Sequence, residues 1–84
     1  MLSITKQEAQ KLRKNLLSMT AVRQSKDDNE YTIELMHENG TVYFLRRLDN
    51  YPYTTRQLDT AKCFADSLGL ERFSVRLTNG ATAI

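Results

Sequence analysis

The side chains able to do chemistry in this sequence are few: one histidine, His37, one cysteine, Cys63, and a run of polar and acidic residues at Asp27-Asp28-Asn29-Glu30. A zinc centre needs several nitrogen and sulfur donors, which a single imidazole and a single thiol cannot supply. The acidic run lacks the glycine and the distal glutamate of a calcium loop, so it reads as an ordinary polar turn. On helical projection Cys63 falls near Asp59, Asp66 and Ser67, the electrostatic setting opposite to one that activates a thiolate. His37 reads as a half-exposed side chain at the end of a strand. Asp49, Asp59 and Asp66 occupy loop or solvent-facing positions, where nothing tunes a carboxylate for acid–base work. Gly40, Gly69 and Gly80 stand singly at turns or a cap, not in a phosphate-cradling loop. These residues predict a non-enzymatic chain with no metal and no cofactor.

Binding is the remaining chemistry, and two surfaces are expected to carry it. The first joins one face of a central hairpin to the Tyr51-Pro52-Tyr53 loop. Its residues are Met36, Tyr43, Leu45, Arg47, Tyr51, Tyr53 and Arg76, of the Tyr, Met and Arg types that protein interfaces favour. The second is a basic, nucleic-acid alternative along Lys6, Arg13, Lys14, Arg23 and Lys26. Charge is segregated along the chain. Residues 1–26 hold six cations against Glu8 alone, a net of +5, and residues 27–45 hold five acids and no Lys or Arg, a net of −5. Overall the charge is +2, weak for a dedicated nucleic-acid binder, and the two blocks are as well suited to neutralising each other as to meeting a partner.

The elements that position these residues follow from local pattern. Thr5-Lys6-Gln7-Glu8 fits a capping box and predicts a helix start. At helical spacing Ala9, Leu12, Leu16 and Met19 form one apolar stripe. Leu17 lies off that stripe, as a frayed last-turn residue or an exposed contact. Residues 20–25 read as a strand, or else the first helix runs on towards Arg23. Ser25 to Asn29 then makes a turn.

Between Tyr31 and Leu48 two apolar-rich segments flank Asn39-Gly40, the favoured centre of a two-residue hairpin turn. That turn pairs His37 with Val42, Leu35 with Phe44, Ile33 with Arg46 and Tyr31 with Leu48. It places Tyr31, Ile33, Leu35, Val42, Phe44 and Leu48 on the core face, with Thr32, Glu34, Met36, Tyr43, Leu45 and Arg47 facing out. Asn39-Gly40-Thr41 also matches a glycosylation triplet, read here as turn chemistry. Pro52 makes residues 49–53 a loop. Thr54-Thr55-Arg56-Gln57 is a second capping box with Thr54 as N-cap, opening a helix whose apolar arc is Leu58, Ala61, Phe64, Ala65 and Leu68. Gly69 and Leu70 close it. Phe73, Val75 and Leu77 alternate with polar residues as a strand. Either Asn79-Gly80 turns back and leaves Ala81-Thr82-Ala83-Ile84 as a short extra strand or, preferably, residues 79–84 are a loose tail.

The resulting expectation is a single α+β domain spanning residues 1–84, in the order α-β-β-β-α-β. A three- to four-stranded, mostly antiparallel sheet carries two helices on one face. At 84 residues such a domain buries only about 60% of its unfolded surface, which makes self-association a live expectation. One cysteine, no signal-like apolar start and no apolar run of membrane-spanning length point to the cytoplasm and away from a membrane. Strands followed by a helix resemble, at the level of topology alone, the small sheet-plus-helix DNA-binding domains of phage integrases. The acidic hairpin departs from the positive charge those domains present. In size the chain is similar to accessory proteins of phages and mobile elements, including inhibitors of host machinery. The functional expectation is a small binding domain acting through a protein interface, regulatory, inhibitory or homodimeric, with nucleic-acid binding as the alternative.

Overall fold

The computed structural model describes residues 2–23 and 29–77. Its order is β1 (Leu2–Ile4), α1 (Lys6–Leu12), a 3-10 turn (Arg13–Asn15), β2 (Leu16–Arg23), β3 (Tyr31–His37), β4 (Val42–Leu45), β5 (Thr54–Thr55), α2 (Leu58–Ser67) and β6 (Arg72–Leu77). The α+β class is as expected, but among the described residues the sheet has six strands and is mixed. Its spatial order is β1-β4-β3-β2-β6, with β5 continuing beside β3 where β4 has ended. β1 pairs β4 in parallel, and β2 pairs β6 in parallel, while β3 is antiparallel to β2, β4 and β5. β3 is thus the one strand of the six that runs against the rest.

That direction pattern accounts for both helices lying on one face. α1 carries the chain from β1 to β2, and α2 carries it from β5 to β6. Each crossing joins parallel strands and moves the same way across the sheet, so right-handed crossovers put both helices on the same side. They lie side by side there, with Gln10 Nε2 donating to Ser67 Oγ at 3.3 Å. Ala9, Ala61 and Ala65 let the helix backbones approach the sheet, and they share one core with Met19, Ala21, Ile33, Leu35, Leu45, Leu68 and Leu70.

Three local readings are corrected. The capping box starts α1 as expected: Thr5 N donates to Glu8 Oε1 at 2.9 Å, and Glu8 N to Thr5 Oγ1 at 3.2 Å. The helix, however, ends at Leu12, and the strand begins at Leu16 rather than residue 20. Leu17 forms a bulge between Leu16 and Ser18, which returns Leu16 to the face that Met19 occupies. A bulged strand therefore mimics helical three-residue spacing. β2 is also a central strand, bonded to β3 and β6, and this pairing outweighs the weak helical period.

The second correction is the hairpin register. Glu34 pairs Phe44, Leu35 pairs Tyr43 and Met36 pairs Val42, one residue from the expected pairing. The loop has three residues, Glu38-Asn39-Gly40. His37 N bonds Thr41 O at 2.8 Å, Gly40 N bonds His37 O at 2.9 Å, and only Gly40 takes a positive φ, +91°. This is a turn closed by a left-handed glycine, not the two-residue turn in which Asn39 also needs φ above zero. A one-residue slip reverses every side chain of β4. Leu45 is 1% exposed and Tyr43 packs against the core, while Val42 and Phe44 move to the other face.

Third, Thr54 and Thr55 pair with β3 instead of capping α2. Gln57 is the N-cap and makes no side-chain capping bond. The predicted apolar arc and C-cap of α2 hold. Leu70 N bonds Ala65 O and Gly69 N bonds Asp66 O, both at 3.0 Å, with Gly69 at φ +75°. The expected turn at 25–29 falls mostly, and the tail at 79–84 wholly, outside the described residues.

Candidate functional site

Between β4 and β5 the chain leaves the sheet as a narrow flap, residues 46–53. Arg46 bridges Pro52 in antiparallel fashion. Arg47 N bonds Tyr51 O at 2.7 Å and Tyr53 N bonds Leu45 O at 3.1 Å, so the ladder asks no N–H of Pro52. Asn50 turns the tip at φ +72°, the one non-glycine left-handed residue among those described, and its N–H bonds Arg47 O at 3.2 Å.

Side chains brace this reversal from within. Arg46 donates to Asn50 Oδ1 at 3.2 Å and to Arg47 O at 3.3 Å, while Arg47 pairs with Asp49 at 2.7 Å. Arg46 also ties the flap to α1, with its guanidinium 3.6 Å from Glu8 Oε1. The Thr5 amide, then the Thr5 hydroxyl and, more weakly, Arg46 hold the Glu8 carboxyl below its ordinary range. On this stalk Leu48 is 84% and Tyr51 65% exposed.

Clefts open on both sides of the flap. The larger, about 510 Å³, lies toward the start of α1 and is lined by Thr5, Lys6, Gln7, Arg46, Arg47, Leu48, Asp49 and Tyr53. Lys6 reaches over the Tyr53 ring at 4.3 Å and the Phe64 ring at 5.4 Å. The smaller, about 270 Å³, lies toward the helix-free sheet face, with Ser3, Thr32, Phe44, Leu45, Arg46, Asn50 and Pro52 around it. That outer face continues through Val42 and Met36, the latter 42% exposed, to Glu34. Arg76 meets Glu34 there at 2.7 Å, and Thr20 Oγ1 lies 3.1 Å from Ser74 Oγ.

The residues expected to form a protein interface are therefore divided. Met36 and Arg76 lie on the outer face, and Arg47 and Tyr51 on the flap. Tyr43 and Leu45 belong to the core side because of the register, and Tyr53 is half-buried beneath Lys6. Leu48, expected in the core, is the most exposed large apolar side chain described. The signal for it was available, since it lies between Arg47 and Asp49 just before a proline-bearing loop. The assumed pairing with Tyr31 hid it.

The described members of the basic set lie apart. Arg13 and Lys14 sit in the 3-10 turn before β2 and Arg23 at its far end, beside the Tyr31 ring at 5.9 Å. Eight strand residues put these ends about 23 Å apart. Lys6 belongs to the cleft, and Lys26 lies outside the described residues. His37 is half-buried, edge-on to Tyr43 at 6.2 Å, and its Nδ1 accepts the Asn39 N–H at 3.1 Å. Cys63 is exposed on α2. Among the described residues no three His, Cys, Asp or Glu side chains gather closely enough to hold a metal, and no helix is long and apolar enough to cross a membrane. Compared with known proteins, the chain matches no family model, and neither curated proteins nor solved structures give a match.

Proposed function

We propose that this chain is a non-enzymatic binding domain acting through a protein interface, in a regulatory, inhibitory or homodimeric role, with the flap and adjoining outer sheet face as its contact surface. One observation carries the reading. Leu48 and Tyr51 point into solvent from a backbone pinned by Arg46, Asn50 and the Arg47–Asp49 pair. A domain this small has little apolar surface to spare from its core. A braced reversal that holds two large side chains outward lowers the ordering cost of binding, as a preorganised contact does. Met36 and Arg76 extend the surface across the sheet. A single cysteine supports a reducing, cytoplasmic setting.

The test is site-specific photocrosslinking in cells, with the reactive residue at position 51 or, as control, at Lys62 on α2. Light-scattering sizing of the parent and of a Leu48→Glu/Tyr51→Glu variant accompanies it. The reading expects an adduct from position 51 alone, with either a foreign protein or a second copy. In the second case a dimer is lost in the variant. Identical adducts from both positions, or none from position 51 together with an unaltered monomer, refute it.

A further inference from the structure

We infer that the cleft between α1 and the flap receives an acidic peptide segment, a carboxylate side chain flanked by an apolar one, presented by the partner. This rests on the interface reading above and assigns chemistry to one side of it. Charge complementarity selects the occupant: three cations line the cleft, Lys6, Arg46 and Arg47, against Asp49 alone. Arg47 is already matched by Asp49 at 2.7 Å. Arg46 donates to the neutral Asn50 Oδ1 and Arg47 O, and its one carboxylate among the described residues is a share of Glu8, whose Oε1 also accepts from the Thr5 amide and hydroxyl.

Lys6 has no carboxylate within ion-pair distance among the described residues. The Tyr53 and Phe64 rings hold its ammonium at 4.3 Å and 5.4 Å from their centroids. A cation fixed over aromatic faces at a cleft wall attracts a counter-ion from outside, and the ring position reduces the entropy lost when one arrives. Leu48 and Tyr53 supply apolar wall beside it, which a bare anion leaves uncovered and an apolar neighbour of the acid fills. Nucleic acid fits less well, because its repeating phosphates meet Asp49 and Glu8 as well as the cations.

The full chain is titrated with two synthetic peptide pools of matched apolar content, one with Asp and Glu and one with Lys and Arg at the variable positions, and separately with oligo(dT). Backbone amide shifts are the readout. The acidic pool should move Lys6, Gln7, Arg47, Leu48 and Asp49. Lys6→Glu should weaken that binding about tenfold or more, by loss of a charge-assisted contact, while Lys6→Arg keeps it. An acidic residue in the first helical turn suits the helix dipole and offsets part of the lost ring contacts. Retention of the fold is checked by the amide spectrum of the unliganded Lys6→Glu variant, and Arg47→Glu is the second variant.

If the basic pool moves these amides equally, or the acidic pool moves only Met36 and Phe44, the inference is overturned and the interface reading stands. Shifts in the cleft with oligo(dT) and not with peptide overturn the inference in favour of nucleic acid. If no probe moves any flap or outer-face amide, the inference and its premise fall together.

Discussion

Truncating Leu45 and Phe44 separately tests the hairpin register, on which the position of every β4 side chain depends. Leu45 is 1% exposed in the core it shares with Ile33 and Leu35. Leu45→Ala therefore removes buried methyl groups and leaves a cavity, at a cost of about 2–5 kcal/mol. An 84-residue domain has roughly 4–13 kcal/mol of total stability, so the loss is a large part of it. At about 4–8 °C per kcal/mol for this size, a 3 kcal/mol loss lowers the melting temperature by about 12–24 °C. Phe44 lies half-buried on the face without helices, and Phe44→Ala forfeits about 1 kcal/mol of partial burial. A two-residue Asn39-Gly40 turn demands the opposite ranking, with Phe44 inside and Leu45 out. Urea unfolding followed by far-ultraviolet circular dichroism gives both values from the midpoints, provided the slopes agree. A larger loss from Phe44→Ala than from Leu45→Ala refutes the register and the flap geometry with it.

Other perturbations separate further parts of the structure. Gly40→Ala meets nothing within 4 Å of the added methyl, so its expected cost of about 1–2 kcal/mol comes from φ +91° alone; a neutral result in the same melts denies the left-handed loop. The folded-state carboxyl of Glu8 titrates below its unfolded value of 4.5, so its contribution is complete above that pH and is lost as pH falls through the depressed value. Glu8→Gln should accordingly be less stable than the parent at neutral pH and converge with it in acid, and a pH-independent difference in urea midpoints rules this out. For Arg76 and Glu34, whose side chains are 51% and 12% exposed, a double-mutant cycle should give a coupling of about 1 kcal/mol, weakened by salt, and zero coupling means that the pair is not held in solution.

How far the fold was legible depends on whether a residue's partners lie within a few positions of it. Thr5 and Glu8, and the Ala65–Leu70 cap with Gly69, are closed local circuits, and both were readable from spacing. The hairpin reversal was readable too, but its loop length was not. Glu38 N bonds Asn15 O at 2.8 Å, and Asn15 Nδ2 donates to Glu38 Oε1 at 2.8 Å, so the residue that separates a two-residue from a three-residue loop is held by the turn before β2. No pattern within 31–48 contains that contact. Leu16 and Met19 were ambiguous for a related reason, since only the pairing with His37 and Leu35 shows that Leu17 is bulged. β1 and β5, with three and two residues, are too short to carry alternation and exist through their neighbours.

The same slip explains why the candidate site moved and did not vanish. With Leu45 inward, β4 ends as Arg46 N bonds Ile4 O at 2.8 Å, and the next residues have no strand beside them until Thr54 meets Thr32. The chain must return between those two points, and Pro52 and Asn50 make the return narrow by asking for no ladder donor at one position and accepting a left-handed turn at the other. Leu48 therefore loses the Tyr31 pairing that would have buried it and becomes the tip of a braced arm. Tyr43 and Leu45 strengthen the core by the same step, and this increases what a small domain can leave exposed elsewhere. Apolar residues pointing outward on this arm are thus a consequence of the register, and a sequence change that restores the two-residue turn should bury Leu48 and abolish the contact surface together.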